Sequence, residues 1–286
     1  MPSLIDLRRR IRSVKNTQQI TKALKMVSAA RLRRAQERVL AARPYAELLE
    51  KVLADVAAAS GTSGSGETHP LLAEREEKKV QLVVVTADRG LAGAFNSNVI
   101  KLAQRFLNEH PQVETRLELI GRKGRDYFRK RHPAITGEHI GIFKKVKYED
   151  AVAIARAVME RFASGEVDAV YLAVNEFKTV LSSRLTLKRI LPVKTAERRE
   201  QVDFIYEQPP ADLLGALLPR YVETEIFRAL LESAAAEHAA RMTSMDSATS
   251  NASDVIDKLT LHMNRVRQAS ITREIIEVVS GSQALE

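Results

Sequence analysis

The sequence predicts an α/β fold joined to a long antiparallel coiled coil: a rod of N- and C-terminal helices flanked by a small doubly wound α/β domain. Three observations predict it. Ten of the twelve glycines lie between positions 61 and 165, leaving both ends of the chain almost free of a residue that is costly inside helices. Apolar residues recur at helical spacing in the two glycine-poor ends and in short runs in the middle. Aromatic residues make up only 5% and Trp is absent, a lean Ala- and Leu-rich composition closer to long helices than to a sandwich or barrel.

The first predicted element is a helix over about 3–59, capped by Ser3, with an apolar stripe of Leu4, Leu7, Ile11, Val14, Ile20, Leu24 and Val27. Gln18 and Thr21 are expected to interrupt its heptad, and Pro44 to kink it near Arg43. At 1.5 Å per residue this helix is roughly 80 Å long, too long for one compact domain to cover. A Gly- and Ser-rich stretch, 61–66, reads as a flexible linker. Strands follow over 80–87, 115–120, 139–143, 168–175 and 184–191, the last as an edge strand. Helices over 96–108, 124–131 and 148–163 alternate with them, the rhythm of a doubly wound sheet. The last region, 211–280, opens on a short helix that Pro219 should end or kink. It then runs without Pro or Gly to Gly281, with Val255, Leu259, Met263 and Val266 as its later seam. Small residues (Ala23, Ala29, Ala30 and Ala35; Ser233, Ala234, Ala235, Ala236, Ala239 and Ala240) are expected where the two helices meet. The resulting boundaries are 1–60 for the first shaft helix, 61–73 for a linker, 74–205 for the α/β domain and 206–286 for the second shaft helix.

Charge and composition narrow the function. There is no cysteine, which excludes disulfides and thiolate metal sites and suits a reducing compartment. The first residues lack the apolar core of a signal peptide, and no stretch approaches a membrane span, so any membrane association is expected through a partner. The net charge is +9, yet residues 1–45 alone hold twelve Lys or Arg against Asp6 and Glu37, so one segment carries the surplus. Such a segment asks for an acidic partner, either nucleic acid or an acidic protein surface. No aromatic residue interleaves the basic run before Tyr45, which argues against a nucleic-acid interface.

No catalytic constellation emerges. The six histidines are scattered without metal-ligand spacing. Residues 86–96, Thr-Ala-Asp-Arg-Gly-Leu-Ala-Gly-Ala-Phe-Asn, sit where phosphate loops occur but match neither common glycine pattern, and read as a tight strand–helix turn. Asp88, Asp168 and Glu176 fall near strand ends with nothing pairing them as acid and base, so capping or solvated carboxylates are expected. No cofactor is implied.

The segment 12–36, from Arg12-Ser-Val-Lys-Asn-Thr to Leu-Arg-Arg-Ala-Gln36, resembles the N-terminal signature of the gamma subunits of F-type ATP synthases. The segment 267–281 is similar to their C-terminal signature. The turn Ala87-Asp-Arg-Gly-Leu-Ala-Gly93 and the stretch Glu237-His-Ala-Ala-Arg-Met242 match in the expected order between them. Departures are mild: Ala92 and Ala94 stand where Cys and Gly are common, Arg31 replaces a frequent Lys, and His262-Met263 replaces a common Tyr-Asn. The redox-switch insert of chloroplast members needs a cysteine pair, which this chain lacks.

The resemblance implies a non-catalytic central-stalk rotor inside a ring of three alpha and three beta subunits. It also implies an epsilon subunit and a membrane-embedded c-ring as partners, no nucleic acid, and a peripheral location at the cytoplasmic face of the bacterial inner membrane. Residue by residue, it implies ring contacts at Lys25, Met26, Arg241, Arg267, Gln268, Thr272 and Glu277, and a c-ring foot at Tyr206 and Glu207. Met26 has a second reading as filler of the coiled-coil seam, and Arg241 and Glu277 as solvated charges.

Overall fold

A computed structural model describes residues 3–62, 69–132, 134–180, 182–194 and 208–283. The described chain forms two compact units, one of residues 29–241 and one of the N-terminal residues to 28 together with 242 onward. Two helices run through both: α1 (Leu4–Thr62) and α5 (Pro210–Gln283). The larger unit also holds β1 (Lys79–Val85), α2 (Phe95–Glu109), β2 (Glu114–Ile120), α3 (Arg122–Phe128), β3 (Ile135–His139), α4 (Tyr148–Ala163), β4 (Ala169–Phe177) and β5 (Ser183–Leu191).

The sheet order is β3-β2-β1-β4-β5, parallel except for β5, which runs antiparallel along the edge as its alternating sequence predicts. Leu82 lies between Leu117 and Tyr171 in register, and the same face carries Val80, Val84, Leu119 and Ala173. Val99, Ala103 and Phe106 of α2 and Phe128 of α3 cover that face and complete its core. The opposite face carries the alternate residues: Gln81, Val83 and Glu118, with Leu172 and Val174. Arg161 of α4 reaches Glu118 there, and α5 lines a small space against Leu172 and Val174 through Ala229 and Glu232. Helices therefore cover both faces. One expected strand differs: the third parallel strand is 135–139, and Ile142–Lys144 is a short 3-10 helix. Gly141, at φ 87°, turns the chain between them.

Neither proline ends its helix. Pro44 lies inside the 59 residues of α1, and Pro219 inside the 74 of α5, which is one helix rather than a short opening piece and a long one. Ser3 caps α1 as expected, its Oγ accepting from the Asp6 amide at 3.2 Å while Asp6 accepts in return from the Ser3 amide at 3.3 Å.

The heptad of α1 is unbroken. Apart from Asp55, the described buried residues of α1 are Leu7, Thr21, Ser28, Leu32, Val39, Ala46, Leu49, Leu53 and Val56. All nine fall on two positions of one seven-residue repeat, the set containing 4, 11, 18 and 25 and the set containing 7, 14, 21 and 28. Gln18 and Thr21 do not interrupt it, because they occupy seam positions with polar side chains. Ile20 and Val27, expected in the seam, are instead 60% and 49% exposed, and Ala23, Ala29 and Ala30 also face out. Two apolar stripes run along this part of α1, and composition alone does not say which one the partner helix takes. On α5 Ser233, Ala234, Ala235, Ala236 and Ala239 of the small-residue run are buried in the larger unit, and Ala240 is half-buried. Its later seam takes Ile256 rather than Val255, which is 40% exposed.

Candidate functional site: an open helix tip and a filled crevice

In a parallel sheet, ligands bind beyond the carboxyl ends of the strands where the strand order reverses, here between β1 and β4. In this chain its own side chains fill that place. Thr86 Oγ1 donates to the Ile120 carbonyl at 2.9 Å and accepts from the Gly124 amide at 2.8 Å. Asp88 accepts from the amides of Arg122 and Gly141, both at about 3.1 Å, tying three loops together. Asn96 Oδ1 takes the Ala87 amide, and Asn175 Nδ2 donates to the Phe95 carbonyl. Leu91, at φ 63°, and Gly93, at φ 52°, make the tight turn into α2. Arg241, its side chain 12% exposed, closes it from α5: the guanidinium donates to the Gly90 carbonyl at 3.2 Å and pairs with Glu237 at 2.5 Å. Burial raises the Glu237 carboxyl above its usual range, and Arg241 offsets this only in part. Beside it burial, aided by Arg241 and Arg31, lowers His238 to about 4, so this imidazole is neutral at physiological pH.

Of the expected carboxylates, Asp88 and Asp168 accept backbone amides and Glu176 is ion-paired. Asp168 accepts from the amides of Lys78 and Lys79, and Glu176 pairs with exposed Lys178 at 3.5 Å. A cavity of about 530 Å³ between α1, α4 and α5 is lined by Tyr45, Tyr148, Arg220, Glu223 and Phe227, among others. Burial and the hydrogen bond to Glu223 push the Tyr148 phenol up to about 12, outside the range of a useful acid or base near neutrality. No cluster of metal-binding side chains occurs among the described residues.

One feature of the larger unit was invisible in the sequence. Glu118, 1% exposed, accepts from Arg161 at 2.7 Å, Gln81 at 2.9 Å and Thr136 at 3.1 Å, and sits 2.6 Å from His139 Nε2. Burial opposes its charge, but the bonds to His139 and Arg161 outweigh burial and hold the carboxyl below its usual range. The network binds β1, β2, β3 and α4 together around a buried carboxylate, with His139 and Arg161 partly exposed at its edge. Alternation along a strand marks Glu118 as a residue on one face but cannot show that four partners converge there.

The smaller unit is open. Lys25 Nζ meets Asp246 at 2.5 Å and Thr249 Oγ1 meets Thr21 Oγ1 at 2.8 Å, so α1 and α5 pair antiparallel. Extended at the same register, α1 runs out at Leu4, opposite about residue 266 of α5. Beyond it every residue from 271 to 280 is exposed. Ile271, Ile275, Ile276, Val278 and Val279 in this tip are 49–72% exposed, an apolar surface spread over nearly half the helix circumference. Of the expected contact residues, Arg267, Gln268, Thr272 and Glu277 lie on this exposed end. Met26 is 62% exposed, which removes its seam reading. Lys25 occupies a seam position, and Arg241 is engaged inside the larger unit. Tyr206 and Glu207 lie outside the described residues.

The described residues thus give a two-helix seam with an uncovered tip and a sheet whose crevice is filled by its own chain, the fold of a helix-paired α/β subunit. The comparisons with known proteins agree. A family model described as ATP synthase matches residues 3–285. The chain is 67% identical to the ATP synthase gamma chain of Solibacter usitatus and 52% identical to that of Pelotomaculum thermopropionicum, in each case over the full length of both. Among solved structures, it matches a chain of the Tetrahymena thermophila mitochondrial ATP synthase central stalk and c-ring at TM-score 0.64 and 26% identity, covering 80% of this chain and 99% of that one. A chain of the Euglena gracilis mitochondrial ATP synthase rotor shares the fold at TM-score 0.69 and 17% identity, covering 94% and 98%. The chain belongs to the ATP synthase gamma chain family, the non-catalytic central-stalk subunits of that machine.

Proposed function

We propose that this chain turns inside a ring of three alpha and three beta subunits and carries c-ring rotation to their catalytic sites, which hold the nucleotide chemistry. The observation that carries this reading is the exposed tip of α5. Five large aliphatic residues in nine positions would be an aggregation liability in a free protein and suit a surrounding apolar sleeve. The outward stripe of Ile20, Met26 and Val27, beside the basic surplus of residues 1–45, gives α1 a second partner-facing side. An acidic loop of the beta subunit is the partner suited to that charge.

Arg267, Gln268, Thr272 and Glu277 supply polar contacts near the top of the ring that form and break in each turn. Tyr206 and Glu207 form the foot on the c-ring, and the α/β domain takes the epsilon subunit. No described helix is long and apolar enough to cross a membrane, so attachment runs through these partners, at the cytoplasmic face of a bacterial inner membrane. Co-expression with alpha and beta subunits tests the reading. A stable assembly of three alpha, three beta and one copy of this chain, with ATP hydrolysis that depends on it, is the expected result. Failure to assemble, with the chain retained on DNA at moderate salt, would favour a nucleic-acid role.

A further inference from the structure

We propose that a polar layer of Thr21 and Lys25 on α1 with Asp246 and Thr249 on α5 pins the two helices against sliding along each other, making these four positioning residues for torque transfer. The functional consequence rests on the rotor reading; the pairing itself does not. Thr249 Oγ1 lies 2.8 Å from Thr21 Oγ1; Thr21 Oγ1 donates to the Gln18 carbonyl at 3.0 Å, and Thr249 Oγ1 shares its proton between Thr21 and the Met245 carbonyl at 2.7 Å. One turn away, Lys25 Nζ meets Asp246 Oδ1 at 2.5 Å. Around this layer the seam of the smaller unit is built from Val14 and Ser28 on one helix and Met245, Ala252 and Ile256 on the other. The small Ser28 and Ala252 and the flexible Met245 fit several registers almost equally well.

The unbroken heptads sharpen the problem. Within the smaller unit, a slip of seven residues returns every seam position to a seam position, so apolar matching in that seam does not reject it. The polar layer does reject it. One heptad in one direction sets Lys25 opposite Ser253 and the Thr21 hydroxyl opposite Ile256. In the other direction Thr21 meets Met242. Either slip takes Thr249 away from the buried Thr21 hydroxyl, which keeps its bond to the Gln18 carbonyl, and separates the ion pair. Lys25 and Asp246 are 41% and 60% exposed, so their attraction adds little to stability, and the discrimination lies in what a wrong register loses.

Since the chain has no cysteine, disulfide reporters can read the register directly. At the observed pairing Val14 faces Ile256, so Val14→Cys with Ile256→Cys reports the native register, and Val14→Cys with Met263→Cys reports a one-heptad slip. Both pairs are oxidised in the chain assembled with alpha and beta subunits. Lys25→Asp, which sets like charges together, should raise the slipped product several-fold and slow ATP hydrolysis by the assembly. The exchange Lys25→Asp with Asp246→Lys should restore both readings. If Lys25→Asp does not assemble, Thr21→Val with Thr249→Val, which keeps shape and removes the hydroxyls, should shift the cross-link ratio the same way. An unchanged ratio overturns the proposal. So does slowed turnover that the exchange fails to restore, because Lys25 would then act on a partner subunit.

Discussion

Replacing Arg161 by Met removes the strongest cation from the Glu118 network while keeping a side chain of similar reach. The Glu118 carboxylate, 1% exposed, would keep Gln81, Thr136 and His139 but lose its permanent counter-charge at 2.7 Å. Breaking a buried ion pair by deleting one partner costs about 3–5 kcal/mol, more than the bond itself, because a buried charge is left uncompensated. For a unit of this size each kcal/mol lowers the melting temperature by about 2–4 °C, so a fall of about 10 °C is expected. Calorimetry of the purified chain measures it.

The pH dependence follows from the direction of the shift. Glu118 titrates lower in the folded chain than its ordinary value, so its contribution is present above the unfolded pKa of about 4.3 and is lost as pH falls through the folded pKa. Without Arg161 burial dominates and favours the protonated acid. The gap between wild type and Arg161→Met should therefore narrow as the pH is lowered from 7 towards 4. A variant that melts within about 1 °C of wild type at pH 7, or a gap that widens in acid, would refute the reasoning.

Three further outcomes are expected. Gly121 sits at φ 89° with the Thr86 carbonyl oxygen 2.0 Å from where a Cβ would stand, so Gly121→Ala should destabilise the sheet's carboxyl edge by about 2–4 kcal/mol in a urea titration. Met26→Lys adds charge to a side chain already 62% exposed, so the melt of the free chain should stay within about 1 °C while coupling of hydrolysis to rotation in the reconstituted complex falls. Unchanged rotation and ATP yield would remove Met26 from the ring contact. Arg267→Ala deletes an exposed cation at the base of the open tip; loss of a charged hydrogen bond of roughly 1.5–3 kcal/mol should reduce turnover under load, and normal loaded turnover would count against its role.

How much of this was legible in the sequence varies by element. The 148–163 helix and the edge strand at 183–191 could be read almost to the residue, because their periodicity is clean and nothing competes with it. The expected strand at 139–143 failed because Gly141 breaks the run and the preceding 135–139 segment, with few apolar residues, pairs through its backbone. The seam of α1 was misread for a different reason. Ile20 and Val27 look like core residues by type, whereas the partner helix takes the stripe of Thr21, Lys25 and Ser28, and only the pairing itself decides between the two. The prolines show tertiary packing overriding a local preference, since each costs a backbone bond that long, well-packed helices tolerate. At the tip, the contact residues could be named from the family signature, but their exposure could not, because it depends on where the other helix ends.

Rotation itself is the most direct test of the central claim. Lys101 on α2 is exposed, and the chain has no cysteine, so Lys101→Cys gives a single attachment point for an optical probe. With the alpha and beta ring fixed to a surface and ATP supplied, the account predicts that the probe turns in one direction, in three equal steps per revolution, at a rate that follows ATP hydrolysis. A probe that stays still while the same complexes hydrolyse ATP would contradict it.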